Sequence, residues 1–166
     1  MLALPRNELD RLLPKLEFVR LTPHQVLHES GEMLKSSYFC NSGMFSLQVV
    51  MPEGLVVEVS VIGKEGFSAV PLIAGFRTAY TRTIVRTEAT AFRAEVDALQ
   101  IALQQCPVLH SRLQQNAQIL AMQMAQAAAC NRLHETNERL AKWLLLAYDR
   151  VHSGTLALTQ EFMATC

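Results

Sequence analysis

From Val96 to Arg150 the chain carries a single proline, Pro107, and no glycine, whereas turn residues punctuate most of what precedes it. Proline removes a helical hydrogen bond and glycine raises the backbone entropy lost on ordering, so a stretch this long that avoids both is built to be helix. Pro107 suits the opening turn of a helix, which splits the stretch near Gln105 and starts a longer rod over about Val108 to His134. At roughly 1.5 Å per residue that rod reaches about 40 Å, more than a small domain can cover.

The region before Glu95 reads differently. β-branched and aromatic runs at Leu16–Arg20, Gln25–His28, Tyr38–Cys40, Phe45–Met51, Leu55–Ile62, Thr81–Arg86 and Ala89–Ala94 predict seven short strands. Thr22-Pro23, Ser30-Gly31, Asn41-Ser42-Gly43, Pro52-Glu53-Gly54 and Gly63 separate them with residues that favour turns. Short strands at this spacing imply an antiparallel roll or barrel. Ahead of them, Asn7–Leu13 predicts a short helix, with Asn7 as its cap and Pro14 opposing its continuation.

With 166 residues, 50% of them hydrophobic, the chain can bury one good core. Its 15 basic and 15 acidic residues cancel, so no positive field draws this chain to a phosphate backbone, and alone it should bind DNA poorly. Cys40, Cys106, Cys130 and Cys166 lie too far apart for a paired-cysteine metal site or a secreted disulfide framework, which fits a reducing cytoplasm. No apolar run approaches the roughly 18 to 20 residues that span a bilayer, and Pro5, Arg6 and Asp10 break any leader-like core. A cytoplasmic protein with no membrane partner is expected.

On the long helix Leu113, Ala117, Leu120, Met124, Ala127 and Asn131 recur at steps of three and four, the spacing of a coiled-coil seam. Such a stripe can pack on the roll of its own subunit or on an identical helix. The helix overhangs its domain and has apolar residues on more than one side (Ile119, Leu120, Met122, Met124), which predicts a homodimer. Asn116 and Asn131, near the seam, are placed to fix its register or to stand as exposed amides.

After a corner, Arg132-Leu-His-Glu-Thr-Asn-Glu-Arg-Leu-Ala-Lys-Trp-Leu-Leu-Leu-Ala-Tyr-Asp-Arg150 forms another helix, leading to Leu156-Ala-Leu-Thr-Gln-Glu-Phe-Met-Ala-Thr-Cys166. This arrangement resembles the cyclic-AMP receptor protein and Fnr family of transcription regulators, in which an Arg-Leu-Ala-like helix precedes a short strand and a Thr-Gln-Glu-Phe-like start of the helix-turn-helix. With the roll and the long helix, the resemblance covers the whole chain. It implies a mainly β plus α fold: a cyclic-nucleotide-binding-type antiparallel β-roll, or jelly roll, followed by a long dimerisation helix. The expected divisions are a sensor roll over 1–106 with flanking short helices, the dimerisation helix over 107–135, and the start of a helix-turn-helix over 136–166. Thr159 would cap that last helix, with Glu161 in its first turn. The recognition helix falls beyond Cys166, so DNA would be reached only through a further C-terminal domain.

In the family's nucleotide-binding members, a Gly-Glu pair accepts from the ribose hydroxyl and an arginine faces the cyclic phosphate. The resemblance puts Phe67 and Ser68 at the start of that cassette, Ala69 and Val70 at the Gly-Glu pair, and Thr81 at the arginine, with Arg82 and Thr83 next. No Asp or Glu occurs between Gly66 and Thr87, and moving Arg82 into place by one residue would turn its neighbours to the opposite face. Met124 and Ala125 stand at the family's polar contact positions on the long helix. A ribose hydroxyl and a phosphate buried without partners would cost several kcal/mol. Cyclic AMP and cyclic GMP are therefore not expected, nor is a cofactor. The nine positions from Phe67 to Ala125 remain the candidate effector pocket, either greasy or simply filled. Arg77, Arg82 and Arg86 leave open another anionic effector or a partner surface, beside the reading that they are solvated charges.

His24 with His28, Cys106 with His110, and Cys130 with His134 each lie four apart, but each is only a pair, and no metal site is expected. The first cysteine is Cys40, so the Fnr branch's amino-terminal iron–sulfur cluster is not implied. No cupin-type His-x-His, nucleophile elbow, phosphate loop or His-Glu-x-x-His appears, and an enzyme is not expected. Alternatives to the regulator are a cyclic-nucleotide-type regulatory module of a channel or kinase, and a structural dimeriser without ligand.

Overall fold

A computed structural model describes residues 4–151; the expectations for Leu156–Cys166, with Thr159 and Glu161, lie outside the described residues. The chain opens with helix α1 (Arg6–Leu12) and a 3-10 turn, Leu13–Lys15, that contains Pro14. Pro5, not Asn7, precedes the first helical turn, and no side chain caps it: the proline ring already fixes the backbone angle that entry requires.

Seven strands follow: β1 (Glu17–Leu21), β2 (Val26–His28), β3 (Ser36–Ser42), β4 (Phe45–Val50), β5 (Val56–Ile62), β6 (Arg82–Val85) and β7 (Ala89–Glu95). They form two antiparallel sheets, β1-β7-β3 and β2-β6-β4-β5, which make up the expected roll. All seven predicted strands are present. The largest difference is β3, which extends beyond Tyr38–Cys40 because pairing with β7 continues through Ser36 and Ser42. A 3-10 turn over Val70–Ala74, absent from the sequence reading, lies between β5 and β6.

Two apolar clusters hold the roll. One joins Leu12, Phe39, Phe67 and Leu72 to Val96, Leu99, Cys106, Leu109 and Leu113, and so ties the β1-β7-β3 sheet to the helices. The other, inside the roll, contains Phe45, Leu47, Ile62, Val85 and Leu120. Burying a side chain such as Phe45 or Phe67 contributes roughly 2–3 kcal/mol.

Helix α2 (Val96–Gln105) leads into α3 (Pro107–Leu133), an unbroken rod of 27 residues. The first N–H groups of α3 are capped from far upstream: Glu8, buried on α1, accepts from Val108 N at 3.0 Å and Leu109 N at 2.8 Å. The rod ends where His134 adopts extended backbone, and α4 (Thr136–Val151) folds back. Both α3 and α4 pack on β5, the edge strand of its sheet, and so cover an edge that would otherwise stay open. No described helix is long and apolar enough to cross a membrane.

Candidate functional site: the roll pocket and the helix corner

The cassette from Phe67 onward is filled with its own side chains. Phe67 and Ala69 are 0% exposed and Thr83 is 1% exposed. Phe67 stacks on Phe39 with ring centroids 5.9 Å apart. Ser68 Oγ accepts from Tyr38 N at 3.0 Å and lies 2.8 Å from His28 Nε2. Val70 packs against both clusters at the head of the 3-10 turn, and Thr83 pairs with Leu47 and His28 in the sheet. Five of the nine predicted pocket positions thus meet as core. Met124 packs half-buried against the inner cluster. Thr81 is half-buried at the entry to β6. Arg82 and Ala125 do not join them. Arg82 Nε donates to Glu29 Oε2 at 2.7 Å, and Ala125 is exposed, because one helical step turns it about 100° away from Met124.

The arginines left open for an effector each hold a carboxylate of the same chain: Arg77 pairs with Asp97, Arg82 with Glu29, and Arg86 with Glu58 at 3.1 Å. Members of the four-apart histidine and cysteine pairs differ in burial or are engaged by other residues. His24 is exposed in a left-handed turn (φ 66°), whereas His28 is buried, and burial lowers its pKa to about 4. Cys106 is buried against α1, and His134 Nδ1 pairs with Glu138 at 3.1 Å. Among the described residues no group of three or more His, Cys, Asp or Glu could hold a metal ion.

The proposed seam of α3 is largely occupied by its own subunit. Leu113 and Leu120 are buried in the two clusters, Ala117, Met124 and Ala127 are half-buried, and Asn131 is exposed. Asn116 Nδ2 donates to the Glu65 carbonyl at 2.9 Å, which ties the helix to the roll. The stripe at steps of three and four is real, and the roll is what it packs against. The face left open carries Ile119 (51% exposed), Met122 (63%) and Leu133 (76%), with exposed alanines 121, 125, 128 and 129.

Where α4 folds back, a cavity of about 290 Å³ opens between β5, α3 and α4. Its centre of polarity is Glu58 on β5, whose carboxylate receives Ser46 Oγ (2.5 Å), Arg86 Nη2 (3.1 Å) and the indole N–H of Trp143 on α4 (2.5 Å). Nearby, Arg150 Nε donates to Glu65 Oε1 at 2.9 Å, a second clasp between α4 and the roll. Of these residues only Arg86 stood out in the sequence, as an open cation rather than as a partner of Glu58. A further local signal was the chain's single tryptophan, Trp143, on α4.

The architecture is that of cyclic-nucleotide-binding-like domains followed by a long helix. The c-di-GMP-responsive global regulator CLP of Xanthomonas campestris superposes with a TM-score of 0.79 at 13% identity, over 97% of this chain and 84% of that one. The N-terminal domain of a transcriptional regulator from Streptomyces coelicolor matches at 0.54 and 20% identity, over 82% and 87% of the two chains. The regulatory subunit of a cAMP-independent protein kinase A from Trypanosoma brucei matches at 0.58 and 15% identity, over 68% of this chain and 41% of its own. No protein-family profile and no curated protein matches at the level of sequence.

Proposed function

We propose that this chain is the sensing and dimer-forming part of a cytoplasmic DNA-binding transcription regulator of the cyclic-AMP receptor protein and Fnr type, with no catalytic activity and no resident cofactor. It reaches DNA through a domain that follows α4. A signal received at the roll or at its contact with α3 reorients α3 and α4 and so changes the separation of two DNA readers, which must lie about one helical turn apart. Cyclic AMP and cyclic GMP are not the signal, because the cassette carries no acceptor carboxylate and its volume is filled by Phe67, Ala69 and Thr83.

The observation that carries this reading is the open face of α3. No charged residue occurs from Leu113 to Asn131, yet after the roll has buried its stripe the opposite face still exposes Ile119, Met122 and Leu133. An uncharged apolar face on a 27-residue helix is favourable only when covered, and an identical helix covers it symmetrically. The seam between subunits is therefore assigned to Ile119, Met122, Ala129 and Leu133 rather than to Leu113 and Leu120. The superposition with CLP, which runs through nearly the whole chain, supports the same reading.

Sedimentation equilibrium at tens of micromolar tests it. A dimer is expected, and I119E/M122E should convert it to a monomer with unchanged far-UV circular dichroism. A wild-type monomer would overturn the dimer, and saturable calorimetric binding of cyclic AMP or cyclic GMP would overturn the exclusion of nucleotide.

A further inference from the structure

We propose that the corner cavity between β5, α3 and α4 is a binding site for a small organic anion with an aromatic or branched apolar body, its acid group held by Arg139 and Lys142. This site lies outside the roll's own pocket and is independent of the filled cassette.

The walls supply the apolar half. Val59 and Val61 on β5, Ala127 on α3, and Trp143 and Leu146 on α4 line the cavity. A volume of about 290 Å³ accommodates a body of two rings.

The polar half is cationic and unspent. Arg139 and Lys142 lie three residues apart on one face of α4, and both line the cavity. Among the described residues, Arg77, Arg82, Arg86, Arg93 and Arg150 each pair with a carboxylate within 4.0 Å, whereas Arg139 and Lys142 have none. Arg139 reaches only Thr136 Oγ1, at 3.4 Å, and its Nε is buried without a hydrogen-bond partner. Lys142 Nζ reaches only Cys130 Sγ, at 3.4 Å. Buried donors of this kind are costly unless something accepts from them, and an arginine fork matches a carboxylate, phosphate or sulfonate. One carboxylate, Glu58, also lines the cavity, but Arg86 and Trp143 already engage it. The cavity therefore carries a net positive charge facing an apolar chamber.

The single tryptophan of the chain lines this cavity, so its fluorescence reads this site. The probe is 1-anilinonaphthalene-8-sulfonate, an aromatic anion that accepts energy from tryptophan. Titration of the whole chain should quench Trp143 and saturate at one probe per chain. The neutral analogue N-phenyl-1-naphthylamine should bind at least tenfold more weakly. R139Q/K142Q should weaken the anion about tenfold or more without narrowing its margin over a folded control by circular dichroism, and A127F should block the chamber. Should the double variant fail to fold, K142Q alone is expected to weaken the probe severalfold. Absent quenching, equal binding of the neutral analogue, or wild-type affinity in the folded charge variants would each overturn the proposal. The readout requires neither DNA nor a dimer, so its failure and that of the proposed function are separable.

Discussion

Trp143 donates its indole N–H to Glu58 Oε1 at 2.5 Å, joining α4 to the edge strand of the roll across 85 positions of sequence. The same carboxylate neutralises Arg86 and accepts from Ser46, and only 5% of its side chain is exposed. Motion of α4 relative to the roll must therefore break a bond to a buried charge.

W143F keeps the ring and removes the donor. It should loosen α4 by about 1.5–3 kcal/mol, seen as faster amide exchange over Thr136–Val151 with β4 protected as before. E58Q should cost more, about 3–5 kcal/mol, because it also breaks the buried ion pair with Arg86. A double-mutant cycle should give coupling well above about 0.5 kcal/mol; additivity would refute the link.

His28 sets an acid limit on stability. Burial disfavours its cation and lowers its folded pKa from 6.5 to about 4, so the neutral ring beside Ser68 is the form that folds. Its contribution is intact above pH 6.5 and is lost as the pH falls towards 4, approaching roughly 3 kcal/mol. Urea unfolding at pH 7.5 and 4.5 should show a steeper loss for wild type than for H28Q, and equal losses would exclude His28 as the cause.

Glu8 caps α3 from another helix. E8A leaves Val108 N and Leu109 N without their side-chain acceptor and should lower stability by about 2 kcal/mol, measured from the denaturant midpoint. E8Q retains an acceptor oxygen and should cost about half as much.

Gly43 occupies the turn between β3 and β4 with φ +81°, and an added Cβ would stand 2.4 Å from the Glu88 carbonyl oxygen and 2.7 Å from Ala89 Cβ. G43A should destabilise by at least about 2 kcal/mol in thermal or urea unfolding, because strain and overlap act together.

The strands and helices were legible because their signals are local. Turn residues mark the strand ends within two or three positions, and the lack of glycine and the single proline after Val96 mark the helices. The corner was less so: the reading carried the rod to His134, where the backbone is already extended. The candidate site was legible only in what it lacked. The missing carboxylate in the cassette is visible in sequence, but the clasp of Glu58 with Arg86 and Trp143 joins residues 28 and 85 positions apart, and no periodicity links them.

Neighbours a few residues apart were enough to specify a turn-punctuated roll, a long rod without charge from Leu113 to Asn131, and a stripe on that rod with helical spacing. Tertiary structure alone decided what the stripe touches, turning Leu113 and Leu120 inward to the roll and leaving Ile119 and Met122 open. It also decided which carboxylate each arginine meets, because pairing across the fold depends on where the sheets and helices bring distant side chains together.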